Sequence, residues 1–290
     1  MDLGVLILGF SRPTAFERAA RSIQNLGVAS NVKKYAFIDG SRAKSDGQVI
    51  DNSEVVSVGE KLLEEGQIDY LTVRDRNLGT MLNVVYSVSE VLQKHEYIFV
   101  LEDDLEVLEV AGGSLSVMLN KLSGNNVAIS LYAHRSFIDK PFLSRRFSSQ
   151  AWATSRTGWA NFEPQMYKQH RFTAHEKLEI KRALGSDFLP SVRAYQRGRL
   201  DSWAIPWNLF NFFNHNYMIY PAQSLIRNHS HLEGAERTLG YTFRYEIAHM
   251  PIVDFSSDEL SENFKYLRHF SSFQRLQRRI TAEMSRLHAW

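Results

Sequence analysis

From Tyr97 to Leu101 the chain is unbrokenly apolar, and it then passes without a spacer into three acids, Glu102, Asp103 and Asp104. Such a run has no polar face to give to water, so it predicts a strand covered on both sides inside a sheet. Ligand sites of open α/β sheets form outside the carboxyl ends of such strands. Adjacent carboxylates repel one another, and a fold keeps them together most easily beside a cation or a set of donors. Hard oxygen ligands suit Mg2+ or Mn2+, which take one or two carboxylates alongside waters and phosphate oxygens. The plainer reading makes Asp103 or Asp104 the cap of a following helix or part of a solvated turn. The buried strand ahead of them sets the two readings level.

The residues before this point alternate strand and helix signals. Leu3 to Phe10 is a continuous apolar run, and Ser11 with Pro13 predicts the opening of a helix that ends near Gly27. Lys34 to Ile38 predicts a second strand stopped by Asp39-Gly40, Val55 to Leu63 a helix, and Tyr70 to Val73 a third strand. Met81, Leu82, Val84, Val85, Val88, Val91 and Leu92 recur at helical spacing. Repeated alternation of this kind implies an α/β chain with a doubly wound, mainly parallel sheet. Beyond about residue 135 strand signals thin out and aromatics gather, at Trp152, Trp159, Trp203, Trp207, Phe210, Phe212 and Phe213. The expected organisation is therefore one half of alternating strands and helices over residues 1–135 and a helix- and loop-rich half over 136–257. Residues 258–290 should form a basic amphipathic helix, with Phe273, Leu276, Ile280, Met284 and Leu287 on one face. From Phe264 on, six Lys or Arg stand against one acid. That balance fits a helix packed on the body, a homodimer contact or a peripheral contact with anionic lipid.

Composition removes several classes. A net charge of +2 over 290 residues gives no global field for nucleic acid. The absence of cysteine excludes disulfides, thiolate zinc sites and a cysteine nucleophile. No apolar run is long enough to span a bilayer, and Met1–Pro13 lacks a signal-peptide pattern. A cytoplasmic setting fits these features. No phosphate-binding P-loop, serine nucleophile elbow or dinucleotide glycine fingerprint is present.

The stretch Glu102-Asp103-Asp104-Leu105-Glu106-Val107, behind its apolar strand, resembles the metal-binding acidic motif of GT-A-type glycosyltransferases. It is most similar to the version in the N-acetylglucosaminyltransferase I family and related bacterial surface-polysaccharide sugar transferases. The resemblance covers roughly residues 3 to 235. It implies a Rossmann-like nucleotide-binding half, a donor such as a UDP-sugar, and Mn2+ or Mg2+ held by Asp104. Glu102 and Asp103 are implied to face donor sugar, ribose or the waters of the metal.

Other strand ends fall where that resemblance places donor contacts. Arg12 would meet base or diphosphate, and Asp39 would accept a hydrogen bond from the nucleobase. Arg76 and Asn77 lie in an R-x-N-x-G stretch whose helix start suits an anion or the donor sugar. Taken alone, each has a plainer reading as a surface residue, turn or cap. On the acceptor side, Asp201 ahead of Trp203 resembles the segment whose Asp is the catalytic base, although Ser202 stands where the family often has a second acid. Asp201 also reads as an N-cap for a helix beginning near Trp203. The segment Ala151–Trp159 resembles a Trp-rich loop that closes over the donor, making Trp152, Trp159 and Trp203 candidate sugar platforms or simply core. His229, in Asn228-His229-Ser230-His231, is a candidate late metal ligand. The expected activity is an inverting, metal-dependent transfer of a hexosyl or N-acetylhexosaminyl group to a glycan or lipid-linked glycan, in surface-glycan assembly. Its rivals are a nucleotidyltransferase, a phosphohydrolase and a catalytically inert carbohydrate-binding protein.

Overall fold

Strand β1 (Leu3–Gly9) is buried along its whole length because it lies between two parallel neighbours and under helices on both faces. The computed structural model describes residues 1–44, 46–133, 140–229 and 260–263. β2 (Lys33–Ile38), a two-residue hairpin pair β3 (Arg42–Ala43) and β4 (Val49–Ile50), β5 (Tyr70–Val73) and β6 (Tyr97–Glu102) follow in the first half. β7 (Leu105–Val107), β8 (Asn126–Ser130), β9 (Phe142–Ser144), β10 (Trp152–Ser155), β11 (Tyr217–Tyr220) and β12 (Ile226–Asn228) complete the set. Eight of them form one sheet in the order β5-β2-β1-β6-β10-β8-β11-β9. Only β10 and β9 run against the other six. The mainly parallel α/β sheet implied by the sequence is thus present, and strands from both halves of the chain share it.

Successive β1 residues point to opposite faces. Leu3, Val5 and Ile7 pack with α1 (Pro13–Ser22), α2 (Ser53–Glu64) and α4 (Ser114–Leu119). Leu6 and Leu8 pack with α3 (Gly79–Leu92) and the later helices. Those are α5 (Arg156–Trp159), α6 (Ala174–Leu184), α7 (Phe188–Gln196) and α8 (Ala204–Phe213). The predicted helix to Gly27 breaks earlier, at Ser22, into a 3-10 turn that Gly27 ends with a left-handed φ of 62°.

The Trp-rich segment differs from expectation. Trp152–Ser155 is no loop but β10, an antiparallel strand inserted between β6 and β8. Its four residues are all buried, and only two of them, Trp152 and Ala153, look apolar in sequence. No helix among the described residues is long and apolar enough to cross a membrane. The expected C-terminal amphipathic helix, with its membrane or dimer contact, lies outside the described residues.

Candidate functional site

The chain runs from β1 outward to β2 and β5, then returns through α3 to place β6 on the other side of β1. That reversal is the topological switch point at which open α/β sheets bind ligands, beyond the strand carboxyl ends. Four of the predicted segments converge there: Phe10–Pro13 after β1, Asp39-Gly40 after β2, Arg74–Gly79 after β5 and Glu102–Asp104 after β6.

Arg12 and Asp103 meet across the switch point. The guanidinium bonds both oxygens of Asp103, through Nη2 and through Nε at 3.3 Å, and also lies 3.9 Å from Asp104. Arg12 is thereby committed first to the acids. The three carboxyls sit in a tight turn between β6 and β7, close enough to burden one another. Burial, then the charges of Asp104 and Asp103, push the Glu102 carboxyl up to about 8. Burial lifts Asp103 to about 6, although Arg12 pulls the other way. Asp104 is also raised, chiefly by burial, against the pull of Arg12, His229 and Arg18. Burial leads in all three, and neighbouring acids add to it at Glu102 and Asp103.

β12 completes the site from far along the chain. It pairs antiparallel with β7, setting Asn228 opposite Leu105, and the His229 amide then donates to the Asp104 carbonyl at 2.7 Å. The ladder therefore brings the two predicted metal residues side by side. The His229 Nε2 lies 2.7 Å from Glu106 Oε2, a partner that sequence reasoning missed. Its signal was the period-two spacing of Asp104 and Glu106 in an extended segment.

The donor set suits a hard divalent cation in one respect and limits it in another. Carboxyl oxygens held at raised pKa would be relieved by a cation. Among the described residues, no three His, Cys, Asp or Glu side chains are grouped to hold a metal by themselves. A cation here would take one or two protein ligands, with Asp104 foremost and His229 beside it. The remaining positions would go to water and phosphate oxygens, as Mg2+ commonly arranges.

The other predicted residues divide into two groups. Asp39 and Asn77, on the loops after β2 and β5, are joined by hydrogen bonds in which the Asn77 side-chain amide donates to Asp39 and to the Gly40 carbonyl at 3.0 and 2.8 Å. A Cβ on Gly40 would lie 2.3 Å from the Arg76 carbonyl carbon, so only glycine allows that approach. Arg76 itself is exposed. Asp201 is exposed as well and does not cap α8, whose N-cap residue is Trp203 with no side-chain capping bond. Its carboxylate instead receives the Met81 amide in the first turn of α3.

Trp152, Trp159 and Trp203 are 0%, 6% and 2% exposed. Trp152 stacks on Trp203 at 4.7 Å and on Trp159 at 5.6 Å, and Trp159 lies against Trp207 at 4.6 Å. Their faces cover one another, so they form core between β10 and α8 and present no open shelf for a sugar. Trp203 has a polar link to the site all the same, because its indole N–H donates to Glu102. That bond ties the Asp201 segment to the acid turn.

Neither a protein-family model nor a curated protein sequence matches the chain. Among solved structures it is similar to residues 1–349 of S. aureus TarS, at 6% identity over 77% of this chain and 58% of that one, with a TM-score of 0.47. It is similar to GalNAc-T7 with UDP, GalNAc and Mn2+, at 8% identity, 78% and 43% coverage and a TM-score of 0.46. A third is the mannosyltransferase PcManGT from Pyrobaculum calidifontis in complex with GDP-Man and Mn2+, at 11% identity, 72% and 73% coverage and a TM-score of 0.41. The chain thus spans less than two thirds of the TarS and GalNAc-T7 structures. Likeness at this level assigns no role to any residue.

Proposed function

We propose that the chain is a metal-dependent glycosyltransferase that moves a sugar from a nucleoside-diphosphate donor, UDP-linked in the first instance, to a glycan hydroxyl with inversion. The observation that carries this reading is the over-charged acid turn at the sheet's switch point, Glu102 to Asp104, with Arg12 across it. A site with excess buried carboxylate and one committed arginine has a use for a cation, and a cation there has a use for phosphate.

In this reading Asp104 holds the divalent ion, with His229 as a further ligand. The ion supplies charge neutralisation for the departing diphosphate. Arg12 keeps Asp103 ionised and oriented, and Trp203 fixes Glu102 at the donor side. Asp201 lies outside the buried turn and is open to solvent, where an acceptor hydroxyl can reach it. As the acceptor oxygen bonds the anomeric carbon, its proton passes to an Asp201 oxygen. The bond between that carbon and the diphosphate oxygen breaks, and its electron pair leaves with the nucleoside diphosphate. Surface-glycan assembly, with a glycan or lipid-linked glycan acceptor, is the setting we propose.

The test is thermal unfolding with UDP, GDP, CDP and ADP, each with and without Mn2+, on the wild type and Asp104→Ala. A nucleotide at ~100 times its Kd stabilises the fold by about 2.7 kcal/mol, a rise of roughly 5–10 °C for a chain of this size. A Mn2+-dependent rise with one nucleotide, lost in Asp104→Ala, is expected. No rise with any nucleotide would leave an acid turn without a donor and favour an inert carbohydrate-binding protein.

A further inference from the structure

Two carboxylates from distant parts of the chain close on the same helix end. Asp39, at the end of β2, turns its side chain onto the residues that open α3. Its Oδ1 accepts from the amides of Gly40 at 3.0 Å and Leu78 at 2.8 Å. Its Oδ2 accepts from the Asn77 side-chain amide and the Gly79 amide, both at 3.0 Å. Four donors match the four lone-pair sites of a carboxylate, and Asp39 is only 5% exposed. A nucleobase would find no acceptor left there.

The Met81 amide, two residues on in the same first turn, goes to Asp201. The Met81 amide is shared between its Oδ1 and Oδ2, at 3.3 and 3.4 Å, which leaves each oxygen a lone pair for another partner. The approach depends on Gly79, whose φ is +76° and whose Cβ, if it had one, would stand 2.7 Å from Asp201 Oδ2. Asp39 holds Gly79 by its amide, so the buried carboxylate determines how close the exposed one comes to α3.

We propose that Asp39 is a positioning residue for Asp201. By fixing Asn77, Leu78 and Gly79 it sets the first turn of α3, and the Met81 amide of that turn orients the carboxylate that receives the acceptor proton. The inference rests on the transferase reading, and it gives Asp39 a task other than the nucleobase contact its place in the sequence implies. The positive end of α3 adds to the orientation, since an anion is favoured beside the first-turn amides.

Asp39→Asn tests this at constant size, because its NH2 would face the Gly79 and Asn77 donors. Hydrogen exchange at the Met81 amide should speed by about tenfold in Asp39→Asn and in Asp201→Ala, as when one charge-assisted bond is lost. Asp201→Asn, whose oxygen still accepts, should leave exchange near the wild-type rate. Turnover of a UDP-sugar with Mn2+, water standing in for the acceptor, should fall by ~10²-fold in Asp39→Asn from misplacement of the base. UDP–Mn2+ affinity, read by calorimetry, should hold within about threefold, a small part of the tenfold that 1.4 kcal/mol represents. On the Asp201→Asn background, Asp39→Asn should lower turnover no further, which a general structural defect would not reproduce. Gly79→Ala, read the same way, displaces Asp201 with Asp39 intact and serves if Asp39→Asn does not fold.

Unchanged Met81 exchange in Asp39→Asn would overturn the proposal. So would a large loss of UDP affinity with saturated turnover intact, the mark of a nucleobase contact. A wild type that neither binds a nucleotide nor turns over removes the transferase reading and this role with it, whatever Met81 exchange shows about the clamp.

Discussion

The two ends of the parallel strands carry similar residues and opposite electrostatics. At the amino ends, acids are paired in the open. Asp2 accepts from His95 at 2.7 Å and from the Glu96 amide at 3.1 Å, and the His95 bond, foremost, holds its carboxyl below the ordinary range. Asp69 lies 2.9 Å from Lys33, and its carboxyl is lowered in spite of burial, by Lys33 and the Lys34 amide. At the carboxyl ends, Glu102, Asp103 and Asp104 are crowded together with Arg12 as their ion-paired cation, and all three are raised. Burial separates the two ends first: Asp2 and Asp69 are exposed, whereas burial is the largest cause of the rise at Glu102, Asp103 and Asp104. Partnering adds to this, since Asp2 has His95 and Asp69 has Lys33, whereas Asp103 and Asp104 share Arg12. An end where charges are matched contributes to holding the chain together. An end where buried acids share one arginine is the candidate site for a ligand that arrives from outside.

The sharpest way to break this comparison is at Asp201, the acid that belongs to the carboxyl end but stands apart from the crowded turn. Asp201→Asn keeps an oxygen for the Met81 amide and removes the proposed base. We expect folding stability within about 0.5 kcal/mol of wild type, as for a surface change that leaves its cap in place. Turnover should drop by roughly 10²–10⁴-fold, the usual contribution of a general base. Nucleotide affinity should be unaffected. Near-normal turnover in Asp201→Asn, measured on the same donor, would strip the base role and the inverting mechanism from the reading together.

The carboxyl end was the more legible of the two. The apolar run before Glu102 marks a covered strand, and the switch-point rule then places its acids at the site. The residues that tune the site were far less visible. Glu106 reaches His229 because β7 pairs with β12; its period-two spacing from Asp104 marks it as facing the same way, but nothing in a three-residue segment names a partner more than a hundred positions away. Asp201 looks like the cap of the helix that follows it, but the N-cap residue of α8 is Trp203 and the carboxylate serves α3 instead. Local capping patterns describe the nearest helix in sequence, whereas this contact is made between halves. The tryptophans mislead for a related reason. Aromatics suit both core and sugar shelf, and which of them face outward is settled by tertiary packing. Trp152 sits in a strand between β6 and β8, where no surface is left to offer.

The comparison also has a pH signature that differs between the ends. A carboxyl whose pKa is raised by folding binds its proton more tightly in the folded state. Its stabilisation is complete below the unfolded value and is lost as pH rises through the folded one. For Glu102 that window runs from its ordinary 4.5 to about 8. The metal-free wild type should therefore lose stability steadily across this range. Glu102→Gln should flatten the slope while matching the wild type near pH 5. At pH 8 the variant should be more stable by about 1–3 kcal/mol, on the order of one to two pKa units after relaxation. Unfolding in urea at pH 5 and 8, without divalent ions, reads this directly. Equal slopes for the two proteins would mean the acid turn finds enough donors of its own.

The smallest effect is expected at the other end, and its sign is reversed. Asp2 carries a lowered pKa, so its contribution is present at neutral pH and lost as pH falls through the folded value. The Asp2 side chain is 56% exposed, and pairs this open are worth about 0.2–1 kcal/mol once screening is counted. Asp2→Asn should therefore cost no more than that at pH 7, and the cost should vanish at acidic pH where the wild-type carboxyl is itself neutral. It should also shrink in 1 M salt, where the screening length is about 3 Å. Turnover should not change, because His95 and Asp2 lie at the amino ends of β1 and β6, the length of the sheet away from Glu102. A turnover loss in Asp2→Asn comparable with that of Asp201→Asn would mean the amino end is not merely structural. The division between a matched end and a charged end would then fail where it now looks simplest.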